Sequence, residues 1–396
     1  MSEANPSPDA TGDTGPATTF DATLPLTGVT VVELGQNLAG PFCGQIFASL
    51  GADVVKIEKP TGDDCRGWGP PFVNGVSSTF QAFNRNKRSI SVDLKSPEKR
   101  EWLAQFIGSR DIFIHNMRPG ALEPMGLDAA TLVQRFPRLI HGSISGFGAK
   151  GPLKDRPGYD SIVQAVAGVF SVNGDPEGPP SRVGLSVLDL GTGLWLGLSI
   201  LAALRRRDLT GQGAEISASL FETAVNWLAV FIGVASVTGK QPARDRAGAP
   251  MIATYQCFTT SDGEILIAAA NDSLFRKLCQ VIGRSEWMCD ERFATNALRL
   301  DHKEYLTSEL ANIVRTRSTL EWDAAFSDAG VPVAAVNTIA QMIAHPHTAA
   351  LDILEGIPDS PLLVPRLPVS FNRARPTLRG LSPALGAHNA DLLPHT

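Results

Sequence analysis

Residues Val31–Pro60 read VVELGQNLAGPFCGQIFASLGADVVKIEKP, and this stretch decides the fold. A short β-branched run, Gly28–Leu34, is closed by Gly35 and reads as a buried strand. Pro41–Leu50 carries apolar residues at helical spacing, and Asp53–Glu58 is again β-rich. The unit is strand–helix–strand, which demands parallel strands. Parallel strands are covered on both faces, which is why the runs are nearly all Val, Ile and Leu.

Working outward, Pro60–Gly75 is a polar, Gly/Pro-rich connection with little periodicity. Arg88–Leu94 reads as a strand, Pro97–Ser109 as a helix with Glu98 in its first turn, and Asp111–His115 and Arg138–Ser143 as further buried strands. This alternation specifies an α/β fold with a mostly parallel sheet. Tyr159–Phe170 and Gly193–Leu204 read as helices, the latter ending in Arg205, Arg206 and Arg207, where cations complement the dipole. Ile216–Ser219 is a short strand. The apolar run Leu220–Val237 contains Glu222 and Asn226 and reads as a buried helix rather than a membrane span. Beyond it, Tyr255–Thr260 and Glu264–Ala269 flank Ser261-Asp262-Gly263, a hairpin signal. Helices over Phe275–Ile282, Lys303–Arg315 and Leu320–Asp328, with a strand at Val331–Val336, complete a smaller α+β domain. The expected division is a disordered tail over 1–25, a large domain over 26–222, a linker helix and loop over 223–250, a small domain over 251–335, and a C-terminal return to the large domain over 336–396.

The formal charge of −5 argues against a nucleic-acid partner. Five cysteines without CxxC spacing argue against a zinc site or disulfide framework and favour a cytoplasmic protein. The first residues lack the basic and apolar regions of a signal peptide. No GxGxxG follows the first strand, which weakens a dinucleotide reading, and no GxSxG elbow supports a serine hydrolase.

Among candidate site residues, Asp189 stands out, in Val187-Leu188-Asp189-Leu190-Gly191-Thr192-Gly193. A carboxylate among apolar neighbours is costly unless something uses or stabilises it. A helix start just beyond supplies unpaired N–H groups and a positive dipole end. The residue is then either a nucleophile toward an activated acyl group or an ordinary N-cap. Lys59, the basic run Asn84–Ser89 and Lys95 sit at strand ends, where cations converge on phosphates or are simply solvated. Asn116 and Met117 close another strand, suited to an adenine or a pantetheine arm, or to a capped loop with a core methionine. Asp175 and Glu177 lie in a Gly/Pro-rich turn. His345-Pro346-His347 lacks companions that would make a metal site.

The order of these signals is more specific than any one of them. Val31–Pro60, NRNKRSISVDLKSPE (84–98), HNMRPGALEPMGL (115–127), RPGYDSIVQAVAG (156–168), NGDPEGPP (173–180), LDLGTG (188–193), TGQGAEISASLFE (210–222) and ATYQCFTTSDGEILIAAAND (253–272) occur in sequence. From Leu26 to Leu393 the chain resembles the family III CoA-transferases. The resemblance implies a Rossmann-like large domain, an interlocked homodimer, and acyl-CoA and small carboxylic acids as substrates. It also implies no metal, no permanently bound cofactor and no membrane partner. The family's single aspartate, which forms covalent intermediates, matches Asp189, with Asp175 as runner-up. Its CoA-contacting positions fall on Leu38, Ala39, Lys59, Val92, Lys95, Asn116, Met117, Met125 and Tyr159. Leu38, Pro124 and Pro157 depart from the formyl-CoA branch, which has glutamine, arginine and lysine there. Its glycine-rich loop survives only as Gly248 within Arg246–Pro250.

The resemblance extends to 2-methylacyl-CoA racemases, which carry histidine where this chain has Tyr159. Tyrosine, with an ordinary pKa near ~10, is a poor proton shuttle at neutral pH, so transferase ranks ahead of racemase. A non-catalytic CoA-binding protein is the third reading. Two mechanistic expectations follow: the helix start keeps Asp189 charged without raised basicity, and the Gly248 N–H stabilises an oxyanion.

Overall fold

The computed structural model describes residues 24–394, so residues 1–23 of the tail expected over 1–25 lie outside it. The chain forms two compact units. The first comprises residues 24–144, 192–217 and 351–394; the second comprises 145–191 and 218–350.

The first unit is built on a six-stranded sheet. Its strands are β1 (Thr30–Leu34), β2 (Asp53–Glu58), β3 (Arg88–Ser91), β4 (Ile112–His115), β5 (Ile140–Ser145) and β6 (Ala214–Ser219), in the order β3-β2-β1-β4-β5-β6. The pairs β1–β2, β1–β4, β2–β3 and β4–β5 are parallel, with Val31 opposite both Val54 and Ile112. Val31, Val32, Val54, Val55, Ile57, Ile90, Ile112, Phe113 and Ile114 are all buried, as two covered faces require. The order reverses direction between β1 and β4, the position where open α/β sheets hold ligands at their carboxyl ends.

The helix Ala39–Ser49 follows β1. Pro97–Gly108 follows β3 with Pro97 in its first turn and the Ser96 hydroxyl accepting the Lys99 N–H. The connection 60–75, expected to be irregular, contains a 3-10 turn at Asp64–Gly67 and a small hairpin pairing Phe72–Val73 with Val76–Ser77. The C-terminal segment is tied to β3: the Ser91 N–H donates to Asn389 Oδ1 at 2.9 Å, and the His388 N–H to Ser89 O at 3.0 Å.

The second unit has a three-stranded antiparallel sheet. Tyr255–Thr259 pairs with Glu264–Ala268 across the expected turn, and Val333–Ala335 adds on the other side. Phe258, Ile265, Ile267, Phe275, Leu278, Trp322 and Phe326 form its core under helices Asp272–Val281, Lys303–Val314 and Thr319–Asp328.

Three expectations need correction. The stretch 26–222 is not one domain: 145–191 and 218–222 belong to the second unit, as do 336–350. The cause is local packing, since the Phe221 N–H donates to Gly146 O at 3.0 Å and the Phe147 and Phe221 rings meet at 6.3 Å. The helix expected over Tyr159–Phe170 is two, Asp160–Val166 and Val169–Val172, broken at Gly168 with φ +87°. The apolar run Leu220–Val237 is also two helices, Leu220–Trp227 and Ala229–Thr238, bent by 63°, and Trp227, Val230, Ile232 and Val237 are exposed rather than buried. Among the described residues, the single helix long and apolar enough to cross a membrane by length and composition is Val187–Thr210, with Leu188, Leu196, Ile200 and Leu204 buried.

Candidate active site

At the carboxyl ends of β1, β2, β3 and β4 lies a cavity of about 530 Å3. Lys59, Val92, Lys95, Met117 and Met125, all expected CoA-contacting positions, line it together with Leu34, Gln36, Ile57 and Arg100. Apolar walls and basic side chains in one pocket suit a ligand with a flat ring and phosphates. Arg100 escaped the sequence reading. It lies in the first turns of helix Pro97–Gly108, and its guanidinium donates to Leu94 O at 2.6 Å and Lys95 O at 3.0 Å, fixing the loop that carries Lys95.

The Gly35–Leu38 turn is fixed from below. Asn116 clamps it: Asn116 Oδ1 accepts the Gln36 N–H at 2.8 Å, and Asn116 Nδ2 donates to Gln36 O at 2.7 Å. Ala39 opens the following helix, with Leu38 as its flanking residue. Gly40 permits this approach, because a Cβ there would sit 3.3 Å from Asn116 Oδ1.

Beneath the turn is a buried charge network that the sequence did not announce. Lys56 Nζ donates to Gly35 O at 2.7 Å and pairs with Glu33 at 3.2 Å and Asp63 at 2.9 Å. Lys87 pairs with Glu33 at 2.7 Å. Asp63 Oδ1 in turn accepts the Asn37 N–H at 3.2 Å. Burial pushes the Glu33 carboxyl up, but Lys87 and Lys56 outweigh it and hold it below the usual range. Burial pushes the Lys87 amine down to about 8 against the opposing pull of Glu33. Such a network carries little net stability but is costly to unbalance, and here it dictates the shape of a pocket wall.

Asp189 belongs to the second unit. It is neither an N-cap nor the residue before a helix: it is part of the first turn of helix Val187–Thr210. The cap comes from elsewhere in the chain. Asp160 Oδ2 accepts the Leu188 N–H at 2.7 Å and the Asp189 N–H at 3.2 Å. Asp160 Oδ1 accepts from Gln164 Nε2 at 2.5 Å, and Gln164 Oε1 accepts the Val183 N–H at 2.9 Å. Burial, reinforced by the Asp160 charge, pushes the Asp189 carboxyl up to about 7. The expectation of an unraised acid is therefore corrected: the helix start does not offset the loss of water, and its first N–H groups are already taken by Asp160.

The glycines after Asp189 serve close packing. A Cβ on Gly191 would sit 2.1 Å from the Trp227 ring, inside the second unit. One on Gly193 would sit 2.7 Å from Ala39 O, inside the first.

Tyr159 belongs to the second unit and is exposed directly before helix Asp160–Val166. Its position follows from a backbone crossing, in which a Cβ on Gly158 would lie 3.0 Å from Gly146 Cα.

Gly248 does not offer its N–H to an oxyanion, because that group already donates to Asp245 O at 2.5 Å. Asp175 pairs with Arg246 at 2.8 Å and accepts the Glu177 N–H at 2.9 Å, which is the bonding of a turn residue.

A family model described as CoA-transferase family III matches residues 26–389. The chain is 37% identical to the succinate–glutarate CoA-transferase of Agrobacterium fabrum, over 93% of this chain and 95% of that one. It is 37% identical to the acetyl-CoA:oxalate CoA-transferase of Acetobacter aceti, over 88% and 89% of the two chains. The crystal structure of a CAIB/BAIF family protein from Brucella suis superposes with a TM-score of 0.83 at 38% identity, covering 93% of this chain and 98% of that one.

Proposed function

The chain belongs to CoA-transferase family III and is a CoA-transferase, and from that premise we propose that Asp189 carries the exchange covalently. The observation that carries the reading is this half-buried acid in a capped first helical turn, with its affinity for a proton raised.

The Asp189 carboxylate attacks the donor thioester carbonyl, and the C–S bond breaks. The products are a mixed aspartyl anhydride and CoA thiolate. The thiolate attacks the aspartyl carbonyl, leaving an aspartyl-CoA thioester and releasing the donor acid as its carboxylate. The acceptor carboxylate then attacks that thioester, and the steps run in reverse. One thioester replaces another, so the exchange is close to isoenergetic. CoA enters as a substrate. The pocket of Lys59, Lys95, Arg100 and Met117 holds its nucleotide end, with the cations on the phosphates.

The acids we assign are short dicarboxylates, since the compared transferases are named for succinate, glutarate and oxalate. Arg182 and Arg244 are candidates for the second carboxylate; Arg244 Nη2 already donates to Pro176 O at 2.9 Å, while its Nη1 is buried without a partner. Racemisation is disfavoured by Tyr159 in the place of a histidine base.

We further propose a homodimer. Leu194, Trp195 and Leu198 present an exposed apolar stripe on helix Val187–Thr210, which suits burial against a second copy. The five cysteines are unpaired, which supports a cytoplasmic location.

The test is incubation with succinyl-CoA and a panel of acids, read by mass spectrometry, with light scattering on the same sample. A new acyl-CoA formed with a dicarboxylate supports the reading. Exchange of the α-proton in heavy water without acyl exchange would overturn it.

A further inference from the structure

We propose that Asp160 is the positioning residue for Asp189: its buried carboxylate anchors the helix start that carries the nucleophile and sets a negative charge beside it. The inference rests on the covalent reading of Asp189 given above.

Three observations converge. Asp160 is only 5% exposed, in the first turn of helix Asp160–Val166. A buried carboxylate is retained where its oxygens are satisfied, and these accept the Leu188 and Asp189 N–H groups and the Gln164 amide. The same oxygen that holds the Asp189 N–H belongs to the charge that acts on the Asp189 carboxyl.

The geometry gives Asp160 two effects. It replaces the water that would otherwise cap the first turn, so the backbone under Asp189 stays fixed while its carboxylate is acylated and then converted to a thioester. Its charge also disfavours a second carboxylate nearby, so Asp189 holds a proton more tightly. A carboxylate of raised basicity is the stronger nucleophile toward a thioester once ionised. Tyr159 directly precedes Asp160, helix Leu220–Trp227 with Glu222 packs on helix Asp160–Val166, and Arg182 precedes Val183, whose N–H Gln164 holds. Glu222 accepts the Ser219 hydroxyl at 2.6 Å, and the Arg182 guanidinium donates to Gly184 O at 2.8 Å.

The experiment compares the pH profile of kcat/KM for the full-length wild type, Asp160→Asn and the exchange pair Asp160→Asn/Gln164→Glu. The single substitution removes the charge but sets an amide donor against the Gln164 amide. The pair restores that hydrogen bond and moves the charge one link further from Asp189. Asp160→Asn is expected to move the acid limb to lower pH by on the order of one unit, with a lower plateau rate. The pair is expected to regain part of the plateau and to keep a limb below that of the wild type. A wild-type acid limb in either variant overturns the proposal, and the pair decides if the single variant does not fold. Trapping of the Asp189 adduct by hydroxylamine separates the two claims. An unshifted limb with adduct present removes only the role of Asp160, whereas no adduct in the wild type removes the reading beneath it.

Discussion

Lys56 Nζ lies 2.9 Å from Asp63 Oδ2 under the ligand pocket, with both side chains shut off from solvent. Lys56→Met leaves two carboxylates and one lysine in a dry site. Removing one partner of a buried pair costs about 3–5 kcal/mol. The expected result is that loss in a urea titration, with weaker nucleotide binding because Gly35 O and the Asp63–Asn37 link lose their anchor. Unchanged stability and affinity would show that the network does not shape the pocket.

Asp189→Asn tests chemistry and stability together. In the folded chain the carboxyl is raised to about 7 from 3.8, so the fold retains a proton across that interval that the unfolded chain gives up. Stability is therefore full at low pH and falls as pH rises through 7. The amide variant escapes this penalty. It is expected to be inactive yet more stable than the wild type at pH 8, by at most about 4 kcal/mol at ~1.4 kcal/mol per pKa unit. The measurement is denaturant midpoints at pH 5 and pH 8, and a wild type favoured equally at both would contradict it.

The paired imidazoles of His115 and His141 act in the opposite sense. Burial, reinforced by His141, lowers His115 to about 3, and burial lowers His141 to about 4. The unfolded chain binds these protons near 6.5 and the fold does not, so stability is present above 6.5 and declines as pH falls toward 4. His141→Phe is expected to reduce that slope by roughly one proton. Denaturation curves between pH 4 and 7 measure it, and an unaltered slope would remove His141 from the account.

Gly191 and Trp227 form a packed pair in which a Cβ has no room. Gly191→Ala is expected to cost about 1–3 kcal/mol and to lower kcat by displacing the turn that carries Asp189. Adding Trp227→Phe should recover part of both losses. Purely additive costs in the double-mutant cycle would show that the two residues do not couple.

The strands were legible in the sequence because burial on both faces writes itself as Val/Ile runs; Asp53–Glu58 was read to its ends. The hairpin around Ser261-Asp262-Gly263 was legible through turn chemistry. The helix carrying Asp189 begins at Val187 and not at the expected Gly193, because glycines that serve close packing resemble a helix start. The tighter hold of Asp189 on its proton is illegible for a related reason. Its causes are burial first and then the charge of Asp160, and both reach Asp189 only through the fold, while nothing in the phrase Gly158-Tyr159-Asp160 signals that contact. The Glu33–Lys56–Lys87 network is illegible because a lysine inside one strand and a lysine just before another look solvated until their partners are known.

The proposed exchange passes through a transient bond between Asp189 and its substrates. Rapid quenching during steady-state exchange with succinyl-CoA and a dicarboxylic acid, followed by peptide mass analysis, reads that bond directly. The predicted result is the mass of a CoA thioester on the peptide containing Asp189, lost in Asp189→Asn. Exchange that proceeds with no adduct, or with the adduct on Asp175 or Glu177, would contradict the account.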